Sequence, residues 1–155
     1  MENKYYLTKE GVEKIKKELE KLKKEKSTLL NGSGPRAFRF GEVDAEYITF
    51  REDLGRAEER VTELENILEN YELIKIPPKK EQDRVHLGAR VRVEVDGQED
   101  EFFIVGTLEA APPLGKISNE SPVGKALMGQ KTGEKVVVTS PIKVIYKIKD
   151  IKYEN

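Results

Sequence analysis

The spacing of apolar residues changes once along this chain, and that change limits the folds open to it. From Tyr47 the apolar side chains fall at Phe50, Leu54, Ala57, Val61, Leu64, Leu68 and Tyr71, in steps that alternate three and four. That is the seam of a coiled coil. A matching seam runs through Val12, Ile15, Leu19, Leu22 and Leu29, interrupted only by Lys26. After Pro77-Pro78 the period becomes two. Val91, Val93 and Val95 alternate with Arg90, Arg92 and Glu94, while Ile142, Val144, Tyr146 and Ile148 share one alternation. Helices and strands carry different periods, so the chain reads as an α+β protein with two units in series.

Two seams joined by one connection pair as an antiparallel hairpin with the connection at the far end. A second helix over residues 44–72 would be about 43 Å long at 1.5 Å per residue. Thr8 reads as the N-cap of the first helix, and Glu10 and Glu13 suit the positive end of its dipole. Asn31-Gly32-Ser33-Gly34-Pro35 ends that helix. The expected organisation is a hairpin over 1–76, a linker over 77–83 and a β domain over 84–155. In the β domain Asp96-Gly97 makes a hairpin turn, and Pro122–Met128 forms a single short helix capped by Ser121 and stopped by Gly129. The strands are expected to be antiparallel.

The net charge of −1 conceals an asymmetry. Residues 1–30 hold nine Lys against six Glu, whereas residues 42–73 hold eleven acids against three Arg. A basic first helix beside an acidic second one favours pairing within the chain, and most of these charges read as solvated faces. There is no cysteine and one histidine, His86, so a thiolate site, a His/Cys metal cluster and a hydrolase triad are excluded. His86 reads as a packing residue. Gly124–Thr132 misses the phosphate-loop pattern because Gln130 separates Gly129 from Lys131. The Asn-x-Ser triplets at Asn31 and Asn119 read as chance. No apolar run approaches the roughly 20 residues of a membrane span, and the N-terminus has no signal-peptide core. A soluble, cytoplasmic monomer is expected.

The remaining chemistry sits between the helices. Glu42 and Asp44 lie just before the second helix, where carboxylates can offer a divalent cation part of its shell, the rest coming from phosphate or from another protein. Asp44 reads equally as the helix N-cap, with Glu42 favoured by the dipole. Arg36, Phe38, Arg39 and Phe40 interleave charge and rings, which suits RNA or a protein cleft; packing of both rings against the hairpin is the competing reading.

Several stretches resemble the bacterial Gre family of transcription elongation factors. Tyr6-Leu7-Thr8-Lys9-Glu10-Gly11 with Leu19 is similar to the family's opening of helix one. Gly41-Glu42-Val43-Asp44-Ala45-Glu46-Tyr47 is similar to its tip, Gly-Asp-Leu-x-Glu-Asn-Ala-Glu-Tyr. The run Gly115-Lys116-Ile117-Ser118-Asn119-Glu120-Ser121-Pro122-Val123-Gly124-Lys125-Ala126-Leu127-Met128-Gly129 is the most specific piece. The resemblance implies an FKBP-like β domain that docks on bacterial RNA polymerase through Ser121, Pro122, Val123 and Gly124. It implies a hairpin lying in the secondary channel, with Glu42 and Asp44 holding a Mg²⁺ shared with the polymerase. The factor would then have no cofactor of its own and would not be an enzyme, but would activate the polymerase's own cleavage of the nascent RNA 3′ end. Arg36, Arg39 and Phe38 would touch that RNA. Here the tip is two residues shorter than the family's, the first acid is Glu42 in place of Asp, and Asp44 is the nearest counterpart of the second. The alternative function is therefore a regulator or inhibitor that occupies the channel without cleavage. Proline isomerase activity is not expected, because this half has no Trp to line a pocket.

Overall fold

The computed structural model describes residues 4–31, 38–39, 41–139 and 141–154, with the backbone alone at 38 and 39. The chain divides into two compact units, Val12–Asn70 and a second formed by Met1–Gly11 with Tyr71–Asn155.

The Val12–Asn70 unit is a helical hairpin. Helix α1 spans Lys9–Asn31 and α2 spans Ala45–Glu69. Val12 is buried, and Ile15, Leu19, Leu22 and Lys26 are half-buried along the expected seam. Lys26, the polar interruption, reaches Glu58 on α2 at 3.6 Å. On α2 the buried residues are Leu54, Val61, Leu64 and Ile67. The seam therefore ends on Ile67, where the spacing expected Leu68. Leu68 is half-buried beside it. Lys23–Glu65 at 3.1 Å and Glu18–Arg60 at 2.8 Å also bridge the helices. The hydrogen bonds that Arg60 donates to Glu18 and Glu63 raise its pKa further. Such exposed pairs contribute about 0.2–1 kcal/mol each, so burial of the leucines, at about 1.5–3 kcal/mol apiece, dominates.

In the other unit, β1 (Tyr5–Leu7) pairs in parallel with β4 (Tyr71–Leu73). The expected boundaries at 76 and 84 thus differ from the compact units. The ends of the helical segment are drawn into the β unit by this ladder and by the bond from Ile74 N–H to the Leu7 carbonyl, 2.8 Å. The main sheet holds β5 (Ala89–Val95), β6 (Gln98–Val105), β7 (Lys116–Ser118), β8 (Lys135–Val138) and β9 (Val144–Tyr153) in the order β7-β6-β5-β9-β8. Four strands are antiparallel, but β7 runs parallel to β6, so the sheet is mixed rather than wholly antiparallel. A parallel edge strand needs a crossover, and residues 106–115 supply it through two 3₁₀ turns. Asp96 and Gly97 both have positive φ, as the tight β5–β6 turn requires.

The short helix α3 (Pro122–Leu127) covers one face. Val85, Ala89, Val91, Val93, Ile104, Leu127, Val136 and Ile148 form the core beneath it. The Tyr153 hydroxyl donates to the Arg84 carbonyl at 2.6 Å and accepts from His86 N–H at 2.9 Å, pinning the chain where it enters β5. His86 is part of this packing, as expected, although it precedes the strand. Among the described residues no helix is long and apolar enough to cross a membrane.

Candidate functional site

The connection between the helices ends in a minimal β-hairpin. Strand β2 (Phe38–Arg39) pairs antiparallel with β3 (Glu42–Val43), Arg39 opposite Glu42 and Phe38 opposite Val43. Gly41, at φ +82°, supplies the left-handed turn residue, and a Cβ there would meet nothing within 4 Å. Asp44 continues the extended backbone at φ −73°, ψ 128° before α2 begins. In extended chain alternate side chains share a face, so Glu42 and Asp44 lie on one side and Val43 on the other.

The two acids are nevertheless not equivalent. Asp44 Oδ1 accepts the Glu46 N–H at 2.9 Å, which makes it the N-cap of α2. Its second oxygen is not used by the cap. Glu42 is exposed, as is its neighbour Val43 at 54%. Hard carboxylate oxygens suit Mg²⁺. Among the described residues no three His, Cys, Asp or Glu side chains are grouped as a metal site. Glu42 and Asp44 by themselves are two carboxylates, fewer ligands than a complete Mg²⁺ shell needs. Arg36 and the side chains of Phe38 and Arg39 lie outside the described residues.

Ser121, Pro122, Val123 and Gly124 are brought together at the start of α3, about the buried Ser118. Ser121 Oγ donates to the Ser118 carbonyl at 2.7 Å and accepts the Gly124 N–H at 3.1 Å, capping the helix. Pro122 occupies the first helical turn, where a missing N–H costs nothing. Val123 packs on the core, and a Cβ on Gly124 would collide with the Ser118 carbonyl oxygen. Pro122 alone of the four is exposed.

Sequence reasoning missed the partners that hold this turn. Ser118 Oγ lies 2.9 Å from Thr107 Oγ1 and accepts the Glu120 N–H at 3.1 Å, while Thr107 donates to Glu120 at 2.8 Å. It also missed Glu109, which accepts from the Thr8 N–H at 2.7 Å and from the Thr8 hydroxyl at 2.5 Å. Thr8 in turn accepts the Gly11 N–H at 3.0 Å, the cap that was expected. Gly11 was the available signal: a glycine in a first helical turn marks a close approach, and a Cβ there would meet the Glu109 carboxylate.

Comparison with known proteins places the whole arrangement. The N-terminal domain model of the GreA/GreB transcription elongation factors matches residues 5–73, and their C-terminal domain model matches residues 79–153. Transcription elongation factor GreA of Clostridium acetobutylicum is 41% identical, over 97% of this chain and 98% of the relative. GreA of Acetivibrio thermocellus is also 41% identical, over 94% of each. Among solved structures, the GreA factor homolog 1 of Thermus thermophilus overlaps 97% of this chain and 99% of its own at 23% identity and a TM-score of 0.43, too loose a fit to add weight. With both domain models matched in order along nearly its full length, the chain belongs to the GreA/GreB family of transcription elongation factors.

Proposed function

We propose that this elongation factor binds RNA polymerase, places the hairpin tip in the secondary channel and stimulates cleavage of the nascent RNA 3′ end in backtracked complexes. The observation that carries the reading is the pair of acids, Glu42 and Asp44, on one face of the tip. A Mg²⁺ bound there would act as Lewis acid and water activator. Glu42 is the freely presented ligand, and Asp44 offers the oxygen its cap leaves over. The capping bond fixes the Asp44 carboxylate at the helix terminus and so reduces the freedom lost on binding. Pro122, exposed beside the buried Gly124, is the member of the Ser121–Gly124 turn best placed for docking on the polymerase. Arg36, Arg39 and Phe38 are assigned to the extruded RNA, with Arg on phosphate and the ring on a base. On this reading the factor acts as a cytoplasmic monomer and contributes ligands to the polymerase's active site without being an enzyme itself.

One observation favours a second reading. Asp44 is committed to the helix cap, which leaves Glu42 as the one acid of the pair without that duty. A tip so arranged suits a regulator that acts by occupying the channel. The two readings separate in a stalled, backtracked polymerase supplied with Mg²⁺. Cleavage predicts release of short 3′ fragments, and Glu42→Gln should abolish release with polymerase affinity unchanged. If the wild-type factor binds and changes pausing but releases no fragment, occupancy is the function.

A further inference from the structure

The outward face of the β8–β9 hairpin carries an apolar patch that neither reading uses. Val136 and Val138 point into the core, at 6% and 5% exposure, so Lys135 and Val137 face outward. Val137 stands directly across from Ile145, and Lys135 across from Lys147. Val137 is 50% exposed, Ile145 49%, and Ile142, in the connection between the two strands, 69%. Three aliphatic side chains are thus presented to solvent on one hairpin, and contiguous apolar surface rimmed by charge marks an interaction site.

Three lysines stand around the patch. Lys135, Lys143 and Lys147 are all exposed. Like charges directly opposite in a ladder oppose pairing, and Glu94 offsets Lys147 only in part, since Lys149 holds it more closely. Glu94, in register with Lys147 on β5, is held by Lys149 at 2.7 Å. Glu134, next to Lys135, accepts the Lys131 N–H at 3.0 Å. In addition, β8 is the last strand of the sheet, so its outer edge has no strand partner among the described residues. Such an edge is a template for one more strand.

We propose that β8 is a docking edge for an extended, acidic segment of another protein, added to the sheet as a further strand. Charge complementarity and register give its chemistry. A carboxylate side chain would lie beside Lys135, and a β-branched residue two positions along would lie beside Val137, because alternate residues of an added strand share that face. Phosphate backbone would satisfy the lysines but not the aliphatic pair, so a peptide fits better than nucleic acid. The proposal does not depend on the tip acids or on RNA cleavage.

The test uses the full chain and a fluorescently labelled peptide alternating Glu-Thr-Val-Thr, with a scrambled peptide and oligothymidine as controls, read by anisotropy. The wild type should bind the patterned peptide at least about tenfold more tightly than either control, the size expected of one good ion pair plus one apolar pair. Lys135→Glu, and separately Val137→Thr, should each remove that preference. Peptide should also slow amide hydrogen exchange along β8. Both substitutions are at exposed positions, and circular dichroism checks that each variant is folded; Val137→Ala serves if Val137→Thr is not. Equal binding of all three probes, no binding by the wild type, or binding indifferent to the Val137 substitution overturns the proposal.

Discussion

The turn Ser118–Gly124 and the tip Phe38–Asp44 are each seven residues of connection, and they are held together in opposite ways. In the turn nearly every residue type answers to an internal contact: a buried hydroxyl at Ser118, a cap at Ser121, a backbone approach at Gly124. At the tip, Asp44 alone of the described side chains has such a duty, while Glu42 and Val43 face solvent. The most distinctive sequence run in the chain is thus largely explained by folding. Glu42, in a less distinctive stretch, is exposed and is the better candidate for function.

The sharpest way to break that comparison is a pair of glycine substitutions. Gly124→Ala forces a methyl onto the Ser118 carbonyl and should cost more than about 3 kcal/mol, a loss reserved for backbone overlap and overpacking. Gly41→Ala has open space around it and should cost only about 1–2 kcal/mol for its positive φ. Urea unfolding of the two variants measures the gap; equal losses would mean the tip is as tightly packed as the turn.

Glu109→Ala comes next. It removes the acceptor of both the Thr8 N–H and the Thr8 hydroxyl, and should lower stability by about 1–3 kcal/mol in the same assay. A loss this size would show that contacts between distant segments, and not the Thr8 cap alone, secure the start of α1.

A smaller effect sharpens the account of Asp44. Asp44→Ala should cost about 1 kcal/mol through loss of the cap, whereas Asp44→Asn keeps an acceptor and should cost only a few tenths. Under the cleavage reading both lose fragment release. Cleavage retained in Asp44→Asn would assign Asp44 to the helix and leave Glu42 as the sole functional acid.

The smallest effect is in pH. Burial raises the Tyr153 pKa above its ordinary 10.0, against a lesser opposing bond from His86 N–H. The unfolded chain therefore releases this proton first as pH rises. Stability linked to Tyr153 is intact below pH 10 and is lost as pH climbs through the raised value. Tyr153→Phe should flatten the alkaline limb of the stability–pH curve relative to wild type, while lowering stability at neutral pH through the two lost hydrogen bonds.

Local rules made much of the molecule legible. Thr8 and Ser121 cap where a hydroxyl before a helix should cap, Asp96-Gly97 turns where positive φ is cheap, and Val136 and Val138 go inward because a strand alternates. Each of these depends on residues a few positions apart, so the sequence by itself determined two helices, the antiparallel strands, the short third helix and the placing of Glu42 and Asp44 just before α2. The β1–β4 ladder joins residues 66 positions apart and the Thr8–Glu109 bonds span 101, and neither segment carries a periodic signal long enough to read. The parallel seating of β7 and the demand for glycine at 124 likewise exist only once Ser118 is brought against α3. Tertiary structure decided these, because pairing partners are chosen by which surfaces meet, and a three-residue strand does not encode its neighbour.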